Sequence, residues 1–249
     1  FDLPVDKMQA HAGEAITVER GERYAVARGL GVVPVRGLLT PNMFLFEKYM
    51  GWTTYQGLEA TLADLVANED CAAIVLDMDS PGGMVLGIEG AAAAIAAAAA
   101  LKPVHVLVNP LSASAAYWLA SQASDITITP GALVGSIGVR LTATSPQEPD
   151  HYGDRWFEIS SSHARAKNPD PATEAGMAEL RRSLDETADP ADGGAVFGPD
   201  QAIARGLVDQ TESRDAFYAR VMEAYAPAPR PQSRAYAALA AAASARAAS

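Results

Sequence analysis

The 249-residue chain has one cysteine, four histidines and four lysines, and each scarcity removes a class of explanation. A single thiol, Cys71, cannot build a disulfide framework, and its place in the apolar run CAAIVLDM reads as a buried structural cysteine. Cations are few: 19 Lys and Arg stand against 30 Asp and Glu, for a formal net charge of −11. That balance argues against nucleic acid as a partner, since phosphate binding draws its affinity from Lys and Arg, and against a stable hold on an anionic membrane. The longest weakly polar run, Gly90 to Leu101, is mostly alanine and far short of the ~20 residues that span a bilayer. Neither a signal peptide nor a membrane anchor is evident, and the expected localisation is cytoplasmic. A chain of this length buries enough surface to fold without metal or disulfide, and no metal and no cofactor are expected.

What is present is an alternation of strand-like and helix-like segments. GVVPVRG (31–37), AAIVLDM (72–78) and PVHVLV (103–108) are apolar runs of strand length, the pattern of a sheet covered on both faces. Between and after them, helical spacing recurs in 55–68, in the alanine-rich 85–101, in the short 114–121, and in 173–188, 199–205 and 213–225. Segments 125–129, 133–139 and RWFEISS read as further extended pieces. Such repeated units predict an α/β domain with parallel strands joined by right-handed crossovers. Two turns are expected, after Met78 and after Val108, at the carboxyl ends of neighbouring strands where α/β sheets place their sites. Residues 1–28 are poorly patterned and are expected to form an arm or edge hairpin, with the domain proper at 29–226. Residues 227–249 hold three prolines and no Ile, Val or Phe, and read as a Pro/Ala-rich linker and tail.

Two serines compete for chemistry in LSASAAYW. Ser114, between alanines at a strand-to-helix turn, leaves room for a carbonyl to approach its hydroxyl, and Ser112 stands two positions earlier. An N-cap role is the plainer reading of such a serine. SPGG at 80–83 supplies adjacent glycines whose N–H groups are free to face an oxyanion, or simply a tight turn. The base is indicated by omission. His11, His105, His151 and His163 lie in unhelpful positions, with His105 inside a strand. Fifteen arginines accompany the four lysines, and Lys167 sits in HARAKNPD, a segment that otherwise uses arginine. Arginine stays protonated, so a lone lysine there hints at a need to lose a proton.

The ordered set of Ser80-Pro81-Gly82-Gly83, Ser112-Ala113-Ser114-Ala115-Ala116-Tyr117-Trp118, Ala123-Ser124-Asp125-Ile126, Gly135-Ser136-Ile137-Gly138-Val139 and AIARGLVD (202–209) resembles the signal peptide peptidase A (protease IV) family of serine peptidases. The resemblance implies a Clp protease/crotonase-like ββα superhelix. It implies Ser114 as nucleophile, Lys167 as general base, Gly83 and Ala115 as the oxyanion hole, and Ser136 as the residue that holds the lysine amine. With no membrane anchor evident, the chain resembles the phage head-maturation proteases of that family more than its membrane-bound members. A homo-oligomer, a peptide or protein substrate with small residues near the cut, and a scaffold or capsid protein partner are then expected, in host cytoplasm or procapsid. The alternatives are a membrane-free peptidase that degrades signal peptides, a catalytically silent capsid assembly component, and an acyl-CoA enzyme. The last would want basic residues near the glycine turn, where 82–101 has none. Ala115-Ala116 replaces the frequent Gly-Gly, and the stretch between Leu184 and Phe197 is shorter than in typical members.

Overall fold

In the computed structural model the described residues are 16, 18, 22–139, 169–187 and 194–225. Lys167, the expected strand RWFEISS, His11, His151, His163 and the tail lie outside them. The core is an eight-stranded sheet in the order β1-β2-β3-β4-β5-β8, with β6 joined to β4 and β7 to β6. β2 (Leu30–Leu39), β3 (Ala73–Gly83), β4 (Val104–Ala113) and β5 (Asp125–Ile128) run parallel, and β8 (Gln210–Thr211) continues that order. Short β1 (Ala25–Ala27) closes an antiparallel hairpin on β2. β6 (Leu133–Gly135) is parallel to the end of β4, and β7 (Val196–Phe197) is antiparallel to β6.

Strand alternation sorts the core into two layers. Ile74, Leu76, Met78, Val104, Val106 and Val108 face one layer, which is covered by α2 (Tyr55–Ala67), α3 (Ile88–Ala99) and α4 (Ala115–Ala120). Ala73, Val75 and Leu107 face the other, where α7 (Arg214–Tyr225) sets Phe217, Tyr218, Val221 and Met222 against the sheet. Each fully buried Val, Leu, Ile, Met or Phe among them is worth about 1.5–3 kcal/mol over an exposed one. The same alternation puts Asp77 under α7, where it is 2% exposed. Its carboxylate is met by Arg214 at 3.0 Å and Arg36 at 3.2 Å.

Three local readings differ from the structure. The helix expected from 85 begins only at Ile88, because Gly87 is left-handed at φ 86° and serves as its N-cap. A helix that sequence pattern did not reveal, α1 (Phe44–Met50), buries none of its residues and ends on left-handed Gly51. SPGG is a continuation of β3 up to Gly83 and not a turn after Met78. The irregularity is there, but in the neighbour: Met78 pairs with Val108 and Asp79 with Leu111, so Asn109 and Pro110 are extruded from β4. Because the bulge lets pairing resume, both strands run on to the edge of the candidate site. α5 (Glu174–Thr187) and α6 (Pro199–Ala204) fall where helical spacing places them, and Gly206 follows α6 at φ 68°.

Candidate active site

Ser114 stands between the last residue of β4 and the first of α4, with φ 53° and ψ −125°. A non-glycine residue at positive φ is strained, and it persists only where its surroundings hold it. The holding is visible: the Ser114 N–H donates to the Gly135 carbonyl at 2.8 Å, extending the register that pairs Ala113 with Gly135. The Ser114 carbonyl accepts the Trp118 N–H at 3.0 Å and so starts the helix. Its side chain makes no capping hydrogen bond, and the residue is half-buried. Ser114 thus holds the N-cap position of α4 without capping the helix through its hydroxyl. Ser112 is 0% exposed, which withdraws it as a competitor for substrate.

The glycines of SPGG divide the work. Gly82, at φ 100°, lies so close to the serine that a Cβ there would sit 2.7 Å from the Ser114 Cβ and 2.9 Å from the Ala115 nitrogen. Gly83 presses on the other strand, with a Cβ position 1.9 Å from the Leu39 carbonyl oxygen. Both positions exclude any side chain, the first also by its backbone angle. The segment is tied from inside by Ser80, whose hydroxyl donates to the Gly37 carbonyl at 2.7 Å and accepts the Gly82 N–H at 3.1 Å. Ala115 is buried at the first position of α4, where a backbone N–H has no acceptor within its own helix. Thus Ser114, Gly82 and Ala115 converge at the carboxyl ends of β3 and β4. Sequence reasoning singles out Gly83 and not Gly82, and nothing in the motif distinguishes the two.

Ser136 directly follows Gly135, the residue that holds Ser114, and is itself at φ 54° with its N–H on the Ala195 carbonyl at 2.7 Å. The two strained serines are therefore brought to one end of the sheet by the β4–β6 pairing. Other motif residues prove to be scaffolding. The Tyr117 hydroxyl donates to the Leu207 carbonyl at 2.8 Å, and the Asp209 carboxylate accepts the Ile126 N–H at 2.7 Å, so AIARGLVD clamps α4 and β5. Burial, with Asp209 adding to it, pushes the Tyr117 phenol pKa up. His105 lies near the opposite end of β4, nine residues and roughly 25–30 Å from Ser114. Its Nδ1 meets Asp125 at 2.5 Å and its Nε2 the Tyr225 hydroxyl at 3.0 Å, a satisfied core histidine. Among the described residues no three His, Cys, Asp or Glu side chains are grouped to hold a metal, and no helix is long and apolar enough to cross a membrane.

A strained serine on a strand-to-helix turn, facing a glycine at the carboxyl edge of a parallel sheet, defines a ClpP/crotonase-like α/β protein. An enoyl-CoA hydratase/isomerase family protein from Silicibacter pomeroyi superposes with a TM-score of 0.50 at 14% identity, over 84% of either chain. Residues 96–148, which contain Ser114, Ala115 and Ser136, match the model of peptidase family S49. Over those residues the chain is similar to that family. It is 38% identical over 132 residues to capsid assembly protease C of Escherichia phage lambda, covering 53% of this chain and 30% of that protein. It is 32% identical over 195 residues to the head-tail preconnector protein GP5 of Enterobacteria phage P21, covering 78% and 38%. The chain spans about a third of the length of these curated relatives.

Proposed function

We propose that this chain is a serine endopeptidase in which Ser114 and Lys167 form the catalytic dyad. The observation that carries the reading is Ser114 itself: a strained, half-buried serine whose hydroxyl makes no capping hydrogen bond to α4, packed against Gly82 and lying inside the segment that matches family S49. In this reading the neutral Lys167 amine accepts the Ser114 Oγ proton as Oγ adds to the scissile carbonyl. The Ala115 and Gly83 N–H groups receive the oxyanion, with Gly82 giving the clearance. The lysine ammonium then protonates the leaving amine, and water hydrolyses the acyl-enzyme. Ser136 steadies the lysine amine. The described histidine, His105, is committed to Asp125 and Tyr225 and does not supply the base.

The substrate we propose is a phage scaffold or capsid protein, cut next to small residues during head assembly, in the host cytoplasm or the procapsid, by a homo-oligomer. The relatives named for capsid assembly and the head-tail preconnector support this over a signal-peptide-degrading role. A fluorophosphonate probe with mass spectrometry of the labelled peptide tests the chemistry: labelling at Ser114, lost in Ser114→Ala, is expected, and a folded protein that does not label there refutes it.

A further inference from the structure

The segment that carries the site glycines out of the sheet is held from outside the motifs by Tyr55 and Leu39. Tyr55 opens α2 and is 1% exposed, and its hydroxyl donates to the Met84 carbonyl at 2.6 Å. The Met84 N–H donates to the Leu39 carbonyl at 2.9 Å, so both backbone groups of the residue after Gly83 are committed to the protein interior. Side chains along the exit to α3 are open to solvent: Met84, Val85 and Leu86 are 46%, 40% and 72% exposed before Gly87 starts the helix. The phenol is itself placed from several directions. The Tyr55 backbone N–H donates to the Thr40 carbonyl at 2.8 Å. Thr54 caps α2 by accepting the Gly57 N–H at 3.0 Å and donates to Glu47 at 2.7 Å. Burial pushes the Tyr55 phenol up to about 12, so it remains a donor throughout the physiological range.

From this geometry we infer that Tyr55 is a positioning residue for the Ser114 site, fixing the exit path of 82–84 so that the Gly82–Gly83 backbone stays against Ser114 and Ala115. The inference rests on the serine peptidase reading. Ser80 and Leu39 hold the inner side of the segment, and without the phenol the Met84 carbonyl loses its tether while those contacts remain. A displacement of about 1 Å in such a group is enough to cost on the order of 10²-fold in rate. The contribution acts on the bond-forming step, because oxyanion donors are needed most when negative charge develops.

The test uses the 249-residue chain and a fluorophosphonate probe, separating the limiting acylation rate from the concentration for half-maximal rate. Tyr55→Phe is expected to lower the limiting rate about tenfold or more while leaving the half-maximal concentration within about twofold. Leu62→Val, a conservative core change on the same helix, is expected to leave the limiting rate unchanged even though it lowers the melting temperature. Equal limiting rates for Tyr55→Phe and the parent overturn the inference and leave the nucleophile assignment standing. A drop of the same size in both variants also overturns it, since it reports general loosening. A parent protein that labels elsewhere than Ser114 overturns the reading on which the inference rests.

Discussion

Gly82 and Ser114 are in such close approach that a methyl group on the glycine would lie 2.7 Å from the serine Cβ. They are 32 positions apart in the sequence, and each has a positive φ. The contact joins two strained points into one site, and position 82 excludes a side chain both by its backbone angle and by its nearness to Ser114.

Gly82→Ala therefore has two costs, a side chain in the left-handed region and a clash with Ser114. A stability loss of about 1–3 kcal/mol is expected from the backbone strain, read by urea unfolding. Probe labelling of Ser114 should fall by at least about 10²-fold. An unchanged labelling rate would mean that Gly82 does not flank the reacting centre.

Ser114→Ala and Lys167→Ala are each expected to lower peptide cleavage by on the order of 10³-fold or more, with circular dichroism and melting little changed. The double variant should be no worse than either single one, because residues acting as a unit are not additive. Full activity in either single variant removes the dyad.

Ser80→Ala deletes one hydroxyl that both donates to Gly37 and accepts from Gly82. Leaving those buried backbone groups unpaired is expected to cost about 1–3 kcal/mol, together with slower acylation. Ser80→Thr, which keeps the hydroxyl, checks whether the bond or the volume matters.

Alkaline pH gives a prediction with a defined sign. The Tyr55 phenol is raised from 10.0 to about 12 by desolvation, and burial raises Tyr218 and Tyr117 as well. A raised acid pKa means that the folded state keeps its proton after the unfolded chain has lost it. The contribution is thus fully present below about pH 10 and is lost as pH rises through 12. Denaturation midpoints should fall over that window, and Tyr55→Phe should flatten part of the fall, by about one proton in the slope.

Asp77→Ala leaves Arg36 and Arg214 facing each other under α7 without their shared carboxylate. Removing one partner of a buried pair costs about 3–5 kcal/mol, somewhat less here because both guanidinium groups are partly exposed. Hydrogen exchange should show α7 opening before the sheet does.

Much of the fold was legible because its signals are local. Residues 73–78 and 104–108 of the apolar runs are buried on both faces and read as parallel strands; α4 to α7 fall within a residue or two of where spacing places them. α1 escaped because it buries nothing, so no periodic stripe marks it. SPGG reads as a turn because glycine and proline usually end strands, and only the extrusion of Asn109 and Pro110 from β4 lets β3 continue beside it. His105 is legible as core, but its partners Asp125 and Tyr225 are 20 and 120 positions away and no local pattern links them.

The amino-acid order by itself determined the parallel α/β character, the family resemblance and the candidacy of Ser114, since each depends on residue types at short fixed spacing. Tertiary structure decided the rest. It separated Ser114 from Ser112 by exposure, set Gly82 against the serine, and brought Tyr55 to the Met84 carbonyl. Those relations depend on strand register and on a two-residue bulge, which sum pairings across the whole sheet and are written in no single segment.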